Sequence, residues 1–407
     1  MKRIDMTERP DWREQAEQLG FLFHTFDGEP YWDERAAYQF SLKQIENDLE
    51  APTAELHQMC MALVDEIVGS EALLSRLAVP EYFWACAAAS WRRRDRHLYG
   101  RMDLVYSGQG PAKLFELNYD TPTSLYEAAF FQWLWLEQMQ QAGRLPAGAD
   151  QYNSIQEQLI QTIRALRPHQ PLYLASVRES QEDRGTVEYL RDCATQAGIQ
   201  TRYIAVEDIG LDRSQGFVDL NDEFIPSLFK LYPWEFMLDE AFGHSIPSSF
   251  TQFYEPPWKA LLSNKGILAL LWERHEGHPN LLPAFFDKEA GSPVAPGWVR
   301  KPLFSREGAN IELHSLDGTR LDVPGPYAGP SIVQQCHPLP CFSGNYPVIG
   351  SWVVGDTACG VGIREDATLI TQDSSRFLPP LHPRLNLYRI HCTVMDSIRT
   401  LTMPYLF

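Results

Sequence analysis

The sequence lacks any basic tract longer than Arg92-Arg93-Arg94, and 35 Lys and Arg face 53 Asp and Glu, a formal charge of −18. That balance excludes nucleic acid as a main partner, because phosphate neutralisation by Lys and Arg supplies most of such binding. No run approaches the roughly 18 apolar residues of a membrane span, and Met1-Lys2-Arg3-Ile4-Asp5-Met6 lacks the apolar core of a signal peptide. No membrane partner and a cytoplasmic location are therefore expected. Cysteine is sparse: the seven (60, 86, 193, 336, 341, 359, 392) are odd in number, widely spaced and form no CxxC pair, a pattern of reduced, mostly buried thiols. Cys336 and Cys341 could face one another across His337-Pro338-Leu339-Pro340, but no second pair completes a metal site. His275 and His278 miss the HExxH spacing by one residue and read as helix-end histidines. Neither GxGxxG nor GxxxxGK[ST] occurs, which removes the dinucleotide fingerprint and the Walker phosphate loop.

What is present describes a folded protein. Hydrophobic residues make up 44% and charged residues 22%, and 407 residues suffice for two or three packed units. Apolar spacing predicts helices over Glu34–Glu50 and Pro52–Gly69. Alternation over His97–Tyr106 and Ala112–Tyr119, joined by Ser107-Gly108-Gln109-Gly110-Pro111, predicts a β-hairpin. Asp120-Thr121-Pro122 offers an N-cap and a first-turn proline for a buried helix over Leu125–Met139. A βαβ unit follows: strand Leu172–Val177, helix Arg184–Ala197 closed by Gly198, strand Thr201–Val206. After a helix near Trp258–Glu273, strands dominate at Trp298–Phe304, Asn310–His314, Ser331–Gln335, Gly350–Val354 and Thr368–Thr371. A last helix is expected over Leu385–Leu401.

The hairpin holds the sharpest chemistry. Arg101 and Asp103 share one face of its first strand, and Glu116 and Asn118 share one face of its second. Two carboxylates and an amide oxygen are hard ligands of the kind Mg²⁺ accepts when it also bridges nucleotide phosphates. Arg101 beside them suits a phosphate or carboxylate; a surface hairpin with a cross-strand Arg/Glu pair is the plain alternative. The strand leads into a helix N-terminus at Thr121-Pro122-Thr123-Ser124, whose amides favour anions. Lys301, followed by Arg306-Glu307-Gly308-Ala309-Asn310, can carry a cation to a phosphate beneath a flexible loop, or be a solvated lysine in an ordinary hairpin. Lys265 in Ser263-Asn264-Lys265-Gly266 is similarly ambiguous. The glycines around Arg364, from Gly350 to Gly362, suggest close packing about a ligand, or a β-meander in which Arg364 pairs with Glu365 or Asp366. The acidic loop Arg178-Glu179-Ser180-Gln181-Glu182-Asp183 suits a cation, or simply caps a helix.

Gly100-Arg101-Met102-Asp103, Phe115-Glu116-Leu117-Asn118-Tyr119-Asp120-Thr121, Tyr232-Pro233-Trp234-Glu235, Lys301-Pro302 with Arg306 to Asn310, and Gly350-Ser351-Trp352 through Gly362-Ile363-Arg364-Glu365 resemble, in order and over nearly the whole chain, the glutathionylspermidine synthetase family. The resemblance implies an α+β ATP-grasp fold with a Rossmann-like βαβ pre-ATP-grasp unit, two lobes holding ATP. It implies a ligase that joins a peptide carboxylate to a polyamine through an acyl phosphate. The implied organisation is a helical segment with the metal-binding hairpin at 1–150, a βαβ substrate domain at 151–255, a lid subdomain at 256–330 and a return to the core at 331–407.

By that resemblance Asp103, Glu116 and Asn118 stand at magnesium-ligand positions, with Arg101 and Arg364 as the catalytic arginines. Lys265 and Lys301 stand as ATP-phosphate lysines, the Gly308 loop as the lid and Gln335 beside the adenine. Glu182, Asp183 and Asp373 are candidates for the cationic amine. Thr121 and Thr123 replace serines expected in glutathione-binding members, which points to another peptide or an amino acid as acyl substrate. The chain begins directly with synthetase-like sequence, so the cysteine amidase of bifunctional members is not expected. ATP and Mg²⁺ are the implied cofactors, and small molecules the partners. A nucleotide- or polyamine-binding shell without ligation is the rival, against which the full phosphoryl-transfer set argues.

Overall fold

The computed structural model describes residues 1–26, 28–212, 216–288, 292–372 and 375–383. The fold is α+β, and among the described residues it has four larger sheets, one of which orders Lys2–Asp5, Ala36–Gln39, Pro380–Pro383, Ala149–Asp150. The central one is antiparallel, ordered Arg376–Leu378, Thr357–Asp366, Tyr346–Val354, Tyr99–Val105, Lys113–Asn118. Its three middle strands are almost wholly buried, and Arg101 and Asp103 are buried within one of them. A second antiparallel sheet runs Ala284–Phe286, Ser331–Gln335, Trp298–Pro302, Ile311–His314, Arg320–Val323.

The third sheet is parallel throughout, ordered Gln252–Tyr254, Ser227–Leu231, Leu172–Ser176, Thr201–Ala205. Helix Gln181–Gln196 joins its last two strands, so the expected βαβ unit is present. Ser180 caps that helix through its hydroxyl, which accepts from Asp183 N at 3.2 Å.

One core packs helices Ala51–Ile67 and Gly266–Arg274 on the central sheet through Leu56, Leu63, Leu104, Leu268, Ile349 and Val361. Another gathers aromatic rings on the far side, where Trp32 stacks on Phe377 with centroids 5.7 Å apart. Each such side chain contributes roughly 1.5–3 kcal/mol of burial. Among the described residues no helix is long and apolar enough to cross a membrane. The described cysteines are free thiols: Cys60, Cys193 and Cys359 buried, Cys86 and Cys336 half-buried, Cys341 exposed.

Three local expectations are overturned. Residues Ala36–Gln39 are a strand, not helix: they pair with Lys2–Asp5 on one side and Pro380–Leu381 on the other, and only Gln44–Ile67 is helical. Asp120 does not cap the helix that follows it. Its carboxylate takes Lys230 Nζ at 2.5 Å and Trp234 N at 2.8 Å, and helical structure begins at Leu125 after Ser124 in a left-handed conformation. Thr368–Thr371 is irregular, with the Asp366 side chain bonding Thr368 N and Ser375 Oγ. The expected Leu385–Leu401 helix lies outside the described residues.

Candidate active site

The hairpin register pairs Arg101 with Asn118 and Asp103 with Glu116, so all four side chains stand on one face. On the other side of the strand Asp103 pairs with Gly350, Gly350 with Gly362, and Val348 with Arg364. This brings Arg364 onto the same face from two strands away. A cavity of about 1060 Å³ opens over that face and reaches the parallel sheet's loops at Glu182 and Asp183 and the second antiparallel sheet at Lys301 and Gln335.

Asp103 is the hub. It accepts Arg101 Nε at 2.7 Å and Nη2 at 3.1 Å, Arg364 Nη2 at 2.7 Å and Asn118 Nδ2 at 3.1 Å. Burial alone would raise its pKa, but the two guanidinium cations outweigh that and hold it below the usual carboxylate range. Arg101 Nη1 also donates to Thr123 O at 2.8 Å, which fixes the guanidinium at both ends. Desolvation and then the Arg101 cation lower the pKa of Arg364, the mark of two buried cations held side by side.

Lys301, from the second sheet, donates to Gln334 Oε1 at 2.8 Å and Phe115 O at 3.1 Å. Burial lowers its pKa to about 8, Glu116 opposing and Lys265 adding to the effect. Lys265 is buried behind Glu116, its Nζ 3.3 Å from Oε1 and 2.6 Å from Ser305 O, and it does not line the cavity. Gly308 lines it, in a left-handed loop (φ +73°) where a Cβ would meet Ile370 Cγ2 at 2.6 Å. Gln335 lies at the cavity edge.

Thr121 and Thr123 line the cavity too, and Thr121 Oγ1 accepts from Arg306 Nη1 at 2.8 Å. Arg306 also pairs with Glu235 at 3.0 Å, tying the loop before Gly308 to the Tyr232-Pro233-Trp234-Glu235 turn. Burial raises Asp183 to about 6, with Ser180 and Arg306 opposing. Asp373 lies outside the described residues.

Sequence reasoning passed over Arg306 as a site residue although it stands inside a quoted motif. It also missed Tyr31, whose hydroxyl bonds Ser124 Oγ at 2.9 Å, and Glu127, buried under the arginines and raised by burial to about 7. Tyr31 comes from a distant loop and had no local pattern, whereas Glu127, a lone acid in an apolar helical run, was detectable.

The glycines around Arg364 serve side-chain packing rather than a ligand. A Cβ on Gly350 would lie 2.7 Å from Arg101 Cδ, and one on Gly362 would lie 2.6 Å from Phe377 Cζ. Arg364 pairs with Asp103, while Glu365 takes Arg3 and Arg376.

The donor set of Asp103, Glu116 and Asn118 suits a hard dication. Carboxylate oxygens carry more lone pairs than their present partners use, and rotating the Asn118 amide presents its oxygen in place of nitrogen.

The family model described as glutathionylspermidine synthase preATP-grasp matches residues 3–382. A Haemophilus influenzae protein provisionally named acid–amine ligase is 41% identical over 396 residues, covering 93% of this chain and 99% of its own length. The bifunctional glutathionylspermidine synthetase/amidase of Escherichia coli is 24% identical over 397 residues, and trypanothione synthetase of Crithidia fasciculata 25% over 351. These matches cover 90% and 79% of this chain, but only 63% and 53% of those longer relatives. A glutathione synthetase-like effector from Globodera pallida shares the fold at 13% identity and a TM-score of 0.51, with 92% of this chain and 98% of that one covered. The chain thus belongs to the glutathionylspermidine synthase family, a family of ATP-dependent C–N ligases.

Proposed function

We propose that this protein joins the carboxylate of a peptide or amino acid to a polyamine-like amine, using ATP and an acyl phosphate. One observation carries the reading: Arg101, Arg364 and Lys301 line a cavity beside Asp103 and Glu116, with Lys265 behind Glu116, and the same cavity reaches Glu182 and Asp183 at its other end. Three cations against two carboxylates, one of them already paired with Lys265 behind it, leave the first end electropositive, complementary to a polyphosphate. The second end is acidic, complementary to a cationic amine.

Lys301 neutralises phosphate charge at the cavity wall and Lys265 supports it from behind Glu116, the Gly308 loop covers the nucleotide and Gln335 meets the adenine. Asp103, Glu116 and Asn118 would hold Mg²⁺, which when bound would neutralise phosphate charge. Arg101 and Arg364 release part of their hold on Asp103 to the transferring phosphoryl group, and stabilise its charge as a carboxylate oxygen bonds to phosphorus and the bond to ADP breaks. Thr121 and Thr123 border the acyl substrate. Glu182 and Asp183, with Asp373 as a further acid, hold the amine. Asp183 is suited to accept the ammonium proton so that nitrogen can attack the acyl carbon and expel phosphate.

The test is magnesium-dependent phosphate release from ATP with polyamines crossed against glutathione, short peptides and amino acids, each mixture followed by mass spectrometry. A condensed amide that requires acid, amine and ATP together is the expected result. Nucleotide or amine binding with no amide across the panel would overturn the reading in favour of a binding protein.

A further inference from the structure

On the opposite side of the hairpin strand from the cavity, three side chains from distant parts of the chain converge. Gly100, next to Arg101, turns its α-hydrogen side towards the Tyr119 ring, where a Cβ would come within 2.8 Å, so Tyr119 occupies the face that Arg101 does not. Tyr119 OH lies 3.0 Å from His57 Nδ1, and His57 Nε2 lies 3.0 Å from Asp356 Oδ1. His97 Nε2 reaches the same oxygen at 3.1 Å. The three candidate ligand atoms lie within 4.8 Å of one another, and no other trio of His, Cys, Asp or Glu among the described residues does so. None of the three lines the large cavity.

We propose that His57, His97 and Asp356 form a binding site for a transition-metal dication of the Zn²⁺ type. A tetrahedral ion with ligands at about 2.0–2.1 Å sets neighbouring ligand atoms about 3.4 Å apart, so Asp356 Oδ1 must recede from each histidine by a few tenths of an ångström while the two histidine nitrogens, within 4.8 Å of one another, settle to the same spacing. Two imidazoles and one carboxylate are a borderline donor set that suits Zn²⁺ or Co²⁺ over Mg²⁺. The site has a supporting partner for one ligand: with Nε2 on the metal, His57 Nδ1–H donates to Tyr119 OH, which fixes ring and tautomer. It has an entry path as well, since both histidines are buried while the Asp356 side chain is 80% exposed. Lys259, a cation whose charge bears on His97, is matched by Glu255 at 3.0 Å. The bound ion would tie helix Ala51–Ile67, the segment entering the hairpin and the turn after Tyr346–Val354 into one brace behind the Asp103 face.

The experiment uses tag-free, EDTA-stripped protein titrated with Zn²⁺ by calorimetry and with Co²⁺ by visible absorption, without ATP. The expected result is about one equivalent bound per chain, with the intense d–d bands of four-coordinate Co²⁺. Asp356→Ala, which removes an exposed carboxylate and whose folding is checked by its melting curve, and His97→Gln should each remove the binding. Tyr119→Phe should weaken it about tenfold. Glu116→Gln, in the other face, should leave it unchanged. Absence of binding, or binding that persists in both Asp356→Ala and His97→Gln, would overturn the site whatever the ligase assay shows.

Discussion

Glu127 lies 3% exposed near two arginines, and its carboxyl is pushed up further than that of Asp183, to about 7, chiefly by burial. A folded pKa above the unfolded value makes a stability contribution that is complete below about pH 4.5 and lost as pH rises through about 7. Glu127→Gln removes the titration while keeping the shape. The variant should melt like the parent near pH 5 and be more stable by about 1–3 kcal/mol near pH 8; thermal melts at both pH values decide it, and equal melting at pH 8 would show that Arg101 and Arg364 keep Glu127 ionised without cost. Lys301 bears on function in the opposite sense. Its pKa is lowered to about 8 by burial, so its charge, and with it phosphate affinity, should fade as pH rises through 8. The KM for ATP is expected to rise several-fold between about pH 7 and pH 9, and in Lys301→Arg that rise should disappear because a guanidinium keeps its proton.

At the scale of elements, the central strand Tyr346–Val354 shows how backbone sets side-chain geometry. Arg101 lies flat across Gly350, 2.7 Å from where a Cβ would be, and is pinned by Asp103 and Thr123 O, so it cannot swing aside. Gly350→Ala should therefore shift the guanidinium by a sizeable fraction of an ångström. The expected consequence is a fall in kcat/KM of about tenfold to a hundredfold, with about 1–3 kcal/mol lost in stability. Unchanged kinetics would mean that Arg101 does not depend on this support. The hairpin that carries Arg101 was legible because period-two alternation and a Gly-Pro turn agree, and because a register that buries one face is strongly specified. The βαβ unit was legible for the same reason, from apolar strands and a helix closed by Gly198. Ala36–Gln39 was not. Ala-Ala-Tyr-Gln fits helix or strand locally, and only its pairing with residues near both ends of the chain decides it. Asp120 likewise looked like a cap because Lys230 and Trp234, which claim its carboxylate, are more than a hundred residues away. Lys265 was visible as a lysine before a helix, but its place behind Glu116 depends on how two sheets meet.

On the scale of the whole molecule, the charge of −18 and the cationic end of the cavity act at different ranges. Long-range attraction is set by the net charge, whereas contact binding is set by the local groups. A cationic amine approaching Glu182 and Asp183 meets attraction at both ranges. A nucleotide polyanion meets repulsion at distance and attraction only on arrival at Lys301, Arg101 and Arg364. Raising ionic strength from about 0.01 M to about 0.1 M shortens the Debye length from about 30 Å to about 10 Å, which screens the long-range part and leaves most of the buried contact energy. The kcat/KM for the amine should therefore fall severalfold over that range, while that for ATP stays level or rises. Steady-state kinetics with each substrate varied in turn, at fixed free magnesium, separates the two slopes. A steep fall for ATP with no change for the amine would mean that the local cationic field extends beyond the cavity mouth and that net charge does not steer either substrate. Opposite slopes would tie the acidic surface of the chain to amine capture and the buried cations to phosphate binding, the division of labour that the two ends of the cavity imply.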